Sequence, residues 1–170
     1  GHSPIRMKRQ LDIIEALRPQ MQNLSEVASV PLMNMLNIKY IVTGDSLTQD
    51  WVVPRFDEGA KVYENLAVMP RAFITPRARV LPSGDDVLAA LADSAYSPAE
   101  EVLFENTSDM PELLYERKTP GEATIIRYDV HEIVVDVKSD GGYLVLTDMF
   151  YPGWNAEIDG IEQQVLRANY

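Results

Sequence analysis

The sequence has no cysteine, only two histidines, and no apolar run long enough to cross a bilayer. Without cysteine there is no disulfide scaffold, no thiolate metal site and no thiol nucleophile. The compartment stays open, because a chain of 170 residues can be stable without such staples. His2 and His131 lie far apart, with no H-E-x-x-H arrangement and no second nitrogen ligand beside either, so the sequence offers no metal site. His131 reads as an exposed turn residue. The 9 glycines form no G-x-G-x-x-G or G-K-[ST] phosphate cradle, and no G-x-S-x-G nucleophile elbow occurs. No cofactor and no catalytic residue is therefore expected. A membrane-spanning helix needs about 18 consecutive apolar residues, which no segment approaches, and the first residues carry no signal-peptide pattern. The chain reads as a water-soluble piece.

Positive charge is scarce as well: 15 Lys and Arg stand against 26 Asp and Glu, for a net charge of −11. Such a field repels polyanions, so nucleic acid is not expected as a partner. Only the start departs from this balance, where Arg6, Lys8 and Arg9 precede the first acid, Asp12. Three cations this close suit either anionic lipid headgroups or a solvated helix face, the second being the preferred reading.

What is present is 46% hydrophobic residues, enough for one good core or two small ones. From Pro4 the stretch "IRMKRQLDIIEAL" reads as a helix with Pro in its first turn, its apolar positions Ile5, Met7, Leu11, Ile14 and Leu17 near helical spacing and Pro19 as its stop. "VPLMNMLNIKYIVTGD" reads as a short helix opened by Pro31 that runs into a strand over 38–43. Two alternating arms around Asp57-Glu58-Gly59 predict a hairpin, and Pro76 places an edge or bulge inside "RAFITPRARVL". "SGDDVLAALADSAY" is the clearest helix: Ser83 caps it, Asp86 follows three residues on, and Val87, Leu88 and Leu91 form its apolar stripe.

From about Pro120 five short alternating stretches follow, separated by turn signals at Asp129, Asp140-Gly141-Gly142, Pro152-Gly153 and Asp159-Gly160. That spacing is the mark of an antiparallel sandwich or barrel. The predicted fold is therefore α+β, a mixed α/β segment over 1–118 and an antiparallel β-sandwich-like segment over 119–170. The boundary falls in "YERKTPGE", residues 115–122.

Two groups of residues invite a functional reading. Glu157 and Asp159 are two apart on a strand and so share a face, as a glycosidase pair would. Asp159-Gly160 is also a hairpin turn, and the turn role is preferred. Tyr151, Trp154 and Tyr170 suit a platform for stacking on sugar C–H faces, with Arg167 beside Tyr151 and Trp154 as a third candidate sugar contact. The alternative, and the preferred one, buries Trp154 over about 200 Å² of core, its indole N–H satisfied by a backbone carbonyl. Asn23-Leu24-Ser25 and Asn106-Thr107-Ser108 fit the N-glycosylation sequon, a pattern short enough to arise by chance.

The stretch "YLVLTDMFYPGWNAEIDGIEQQVLRANY" resembles the C-terminal motif of the YfhO-like family of bacterial multi-pass membrane proteins. There a strand leads into a Tyr-Tyr-Pro-Gly-Trp turn, an Asp-Gly hairpin and an Arg-Ala-Asn-Tyr strand. Here these are Phe150 to Trp154, Asp159-Gly160 and Arg167 to Tyr170, with Phe150 the one departure in the turn. "GHSPIRMKRQLDII" is similar to the family's Gly-Tyr-His stretch before a basic helix, without the Tyr. "MLNIKYIVTGD" and "VYENLAVMPRAFI" resemble two further family segments, Met69 replacing a Leu. The resemblance covers nearly the whole chain.

It implies a parent with many transmembrane helices, similar to type-C glycosyltransferases that use lipid-linked sugar donors and linked to decorating cell-envelope polymers. The implied location is the extracytoplasmic face of the bacterial membrane, and the implied partners are the membrane-embedded part of the same parent and a glycan or lipid-linked sugar. In such enzymes the catalytic carboxylate lies on a loop near the first helices, so no acid of this chain inherits the role. The family motif continues into a further hairpin. An uncovered strand edge is therefore expected here, with partial disorder or edge-to-edge pairing near 161–170.

Overall fold

The computed structural model of the chain describes residues 4–26, 30–106 and 121–170. The Gly1 to Ser3 stretch of the resemblance and most of the predicted boundary at 115–122 lie outside the described residues.

Helix α1 covers Pro4–Gln22. Pro19 sits inside it rather than ending it. Proline removes one helical hydrogen bond and crowds the preceding turn. Tertiary contacts hold the last turn in place, because Gln20 Nε2 donates to Ala92 O at 2.9 Å and Leu17 and Leu24 are buried on either side. α2, Pro31–Met35, is a buried single turn, and Asn37 after it takes a φ of +57° that lets the chain reverse into β1, Tyr40–Thr43. β2, Val52–Glu58, and β3, Ala60–Asn65, form the expected hairpin around Gly59 at φ +87°. With β1 they make a three-stranded antiparallel sheet in the order β1-β3-β2.

Pro76 divides its extended stretch into two strands that go to different sheets. β4, Ala72–Thr75, pairs antiparallel with β9, Tyr143–Leu146. β5, Arg77–Leu81, leads into α3, Gly84–Ala92, and then into β6, Glu101–Glu105, which pairs with β5 in parallel. α3 starts as its sequence demands: Ser83 Oγ accepts from Asp86 N and donates to Asp86 Oδ2 at 2.6 Å. β6 was not apparent in the sequence. Leu103 points into the main core with Leu32, Met33, Val87 and Leu91, whereas Val102 and Phe104 point into a second cluster with Phe73 and Val145. Buried on both faces, the strand shows a continuous apolar run in place of alternation.

The remaining strands form two hairpins, β7 (Glu122–Tyr128) with β8 (Ile133–Lys138) and β10 (Ala156–Ile158) with β11 (Ile161–Gln163). The Asp159-Gly160 turn between β10 and β11 takes positive φ at both residues, +52° and +81°, so Asp159 is a turn residue. The fold is thus mixed α+β, helices toward the N-terminal part and small, mostly antiparallel sheets after them.

Polar groups fix the first core. Asn65, buried, donates through Nδ2 to Asn34 Oδ1 at 2.8 Å and Ile38 O at 3.0 Å, and accepts from Ala67 N at 3.0 Å. Asn37 Nδ2 donates to Met69 O at 2.6 Å, and Thr147 Oγ1 donates to Asn37 Oδ1 at 2.7 Å. These bonds tie the segment after β9 to the loop after α2.

Candidate functional site

The residues singled out from the sequence fall in two places. Tyr151 and Trp154 share one turn. Trp154 N donates to Tyr151 O at 3.2 Å across Pro152 and Gly153, and Gly153 adopts φ +116°, which an L-residue with a side chain rarely takes. Tyr151 is 57% exposed and follows exposed Met149 and Phe150, whereas Trp154 is half-buried. Neither core cluster includes Trp154 among the described residues. The indole thus stands at the margin, with part of its surface available to solvent.

Arg167 takes a different direction. Its Nη2 meets Glu105 Oε2 at 2.7 Å, and Arg9 Nη2 reaches the same oxygen at 2.8 Å. Arg9 also donates to the Tyr170 main-chain oxygen at 3.0 Å and stacks its guanidinium 4.7 Å from the Tyr170 ring centre. The Tyr170 hydroxyl donates to Asp12 Oδ2 at 2.8 Å. Between these two residues Asn169 lies against the outer edge of β6. Its N donates to Leu103 O at 2.8 Å, and its Oδ1 accepts from Leu103 N at 2.9 Å and lies 3.4 Å from the Tyr96 hydroxyl. One asparagine thus pairs with both backbone groups of a buried strand residue, as a neighbouring strand would. Gly84 leaves room for the cluster, since a Cβ there would sit 3.2 Å from Tyr170 Cε2.

The electrostatics follow from these contacts. The hydrogen bond from Arg9 holds the Glu105 carboxyl below the usual carboxylate range against an opposing push from burial, and the charges of Arg9 and Arg167 add to the lowering. Burial, then the Asp12 hydrogen bond, pushes the Tyr170 phenol up. Residues 165–170 are half-buried, Leu166 and Ala168 against the second apolar cluster and Asn169 on the β6 edge, long-range contacts that local sequence does not announce. Of the three cations at the start, Arg9 is turned inward by the same cluster, and Lys8 is exposed.

A second polar cluster joins three strand ends. Arg71 Nη1 lies 2.8 Å from Asp148 Oδ1 and 3.1 Å from the Tyr128 hydroxyl, which donates to Asp148 Oδ2 at 2.9 Å. The Asp148 bond raises the Tyr128 phenol above its ordinary value. Two open clefts lie apart from the residues of these clusters. One, of about 490 Å³, is lined by Arg77, Arg79, Ser97, Glu100 and Glu101, with Arg79 and Glu101 paired across it at 2.8 Å. The other, of about 360 Å³, runs between β4 and the start of β7, past Met69, Phe73 and Thr124. Glu157 and Glu162 face each other across the β10–β11 hairpin.

Among the described residues, no group of three or more His, Cys, Asp or Glu is placed to hold a metal ion, and no helix is long and apolar enough to cross a membrane. No family model matches the chain, and neither a curated protein nor a solved structure matches it.

Proposed function

We propose that the chain is a non-catalytic, water-facing domain of a polytopic membrane protein of the YfhO-like, glycosyltransferase-like kind, positioned on the extracytoplasmic face of the membrane. Its partners are the membrane-embedded part of the same parent and a glycan or lipid-linked sugar that it helps to position for cell-envelope modification. One observation carries the reading. The most specific residues of the resemblance are engaged in structure: Arg167, Asn169 and Tyr170 are bound to Glu105, Leu103, Arg9 and Asp12 within the chain. A signature made of fold-holding residues supports a scaffold whose chemistry lies elsewhere in the parent. The test has two arms. The reading frame that encodes these residues should also encode several apolar runs of about 18 residues or more. Removing residues 1–170 from the full-length protein in membranes should abolish glycan transfer while insertion persists. A frame without such runs rejects the reading, and unchanged transfer rejects the positioning role.

A second reading, a carbohydrate-binding module, is favoured by the turn that sets exposed Tyr151 beside half-buried Trp154. NMR titration with envelope glycans should then shift the Trp154 indole signal. A flat response across the 149–154 turn ends that reading.

A further inference from the structure

α1 presents two unlike faces. Ile13, Ala16 and Leu17 pack on the core, Gln20 reaches α3, and Arg9 and Asp12 are engaged with Glu105 and Tyr170. The opposite face carries Lys8, Leu11, Ile14, Arg18 and Met21, spaced three or four apart and therefore in one stripe about 20 Å long. Its apolar members are open to solvent: Leu11 59%, Ile14 57% and Met21 51% exposed. The outward face of a helix packed on a soluble core is normally polar. Here three large apolar side chains share it with two cations.

We infer that this stripe is a docking surface for a bilayer that carries anionic lipid headgroups. Charge selects the occupant. α1 holds four of the chain's 15 cations and two of its 26 acids, so it is a basic element on a protein of net charge −11. One of those acids, Asp12, faces inward to Tyr170, and one of those cations, Arg9, faces inward to Glu105, so the stripe itself carries the two cations Lys8 and Arg18. Leu11, Ile14 and Met21 suit the headgroup–acyl boundary, where an amphipathic helix lies in the membrane plane. Lys8 and Arg18 can lay their stems along apolar surface and extend their charges to phosphates. A bilayer accepts such a convex stripe without needing a matching groove. The acidic remainder of the domain is screened over about 8 Å at physiological salt, so it opposes contact only weakly once α1 faces the membrane. Exposed Glu15 is the one acid beside the stripe on α1 itself. The inference deepens the function proposed above and rests on it for a membrane beside the domain. The assay below uses the chain alone, so its failure leaves the reading-frame arm of that proposal standing.

The chain is sedimented with phosphatidylcholine vesicles containing about 30% phosphatidylglycerol, and with phosphatidylcholine alone. Binding to the anionic vesicles should be measurable at physiological salt, weaken as salt rises further, and be far weaker without phosphatidylglycerol. Lys8→Gln with Arg18→Gln should weaken it roughly 25-fold, at roughly fivefold for each cation. Leu11→Ser with Ile14→Ser should weaken it about tenfold or more, and Glu15→Lys should tighten it. All these residues are exposed, so circular dichroism should be unchanged. No binding at physiological salt overturns the inference, as does binding that neither double variant diminishes. A dimer that Leu11→Ser with Ile14→Ser dissolves, in a chain that ignores vesicles, also overturns it and assigns the stripe to a second copy.

Discussion

Replacing Asn169 by alanine removes a side-chain oxygen that accepts from the N–H of Leu103, a residue with no exposed surface. A buried donor left without a partner costs about 1–3 kcal/mol. Asn169 also holds φ at +53°, where alanine is strained by roughly 1–2 kcal/mol and asparagine is better tolerated. Together these give a loss of about 2–5 kcal/mol. For a chain of this size that lowers the melting midpoint by roughly 4–20 °C. Glycine relieves the backbone strain but not the orphaned donor, so Asn169→Gly should fall between the parent and Asn169→Ala. Asn169→Asp keeps the acceptor and should be the mildest of the three. Thermal melting followed by circular dichroism gives the order, and hydrogen exchange at the Leu103 amide locates the effect. If alanine melts within about 1 °C of the parent, with that amide still protected, the edge-capping role of Asn169 is wrong.

Three further outcomes follow from the same contacts. Glu105 has a lowered pKa in the folded chain, so its contribution is complete above its unfolded pKa and is lost as pH falls through the folded one. The stability gap between the parent and Glu105→Gln should therefore be widest near neutrality and close in acid, and denaturant melts across that range that show a constant gap would contradict it. Asn65→Leu should cost about 3 kcal/mol or more, because Asn34 Oδ1, Ile38 O and Ala67 N all lose a partner in the core. A urea midpoint close to the parent's would refute the network. Thr75 is 0% exposed and its hydroxyl has no hydrogen-bond partner among the described residues. Thr75→Val should therefore be neutral or stabilise by about 1 kcal/mol, and a clear loss in a thermal scan would show that the hydroxyl is satisfied.

Much of the local structure was legible because the signals are local. The Ser83 cap, the turns at Gly59 and Asp159-Gly160, and Pro31 at a helix start each act within a few residues, and the structure places each as expected. β6 escaped because its side chains enter two cores at once, which erases the alternation that marks a half-buried strand. Leu11 and Ile14 were counted with Leu17 in one stripe, yet they point outward. Helical spacing groups residues into faces but does not say which face meets the core.

The Arg-Ala-Asn-Tyr segment shows the same limit at the candidate site. It was legible as a motif, and the aromatic and cationic residues in it invited a sugar-contact reading. What it touches lies far away in sequence: Arg9 is 161 residues from Tyr170, and Leu103 is 66 from Asn169. Each residue type nonetheless matches its place on physical grounds. A planar guanidinium suits a shared carboxylate, an amide that tolerates positive φ suits the backbone edge of a strand, and a phenol suits a cation above its ring and an acid at its hydroxyl. Arg, Asn and Tyr are also residues that bind sugars, so composition alone cannot separate the two roles. The partners can: Asn169 is committed by two hydrogen bonds to the β6 edge, and Arg167 by an ion pair to Glu105. A ligand at Arg167 would have to compete with Glu105 for its guanidinium, whereas one at the 149–154 turn would meet the exposed face of Tyr151. Any sugar contact is therefore expected at Tyr151 and Trp154, with Arg167 serving to hold the segment that follows them.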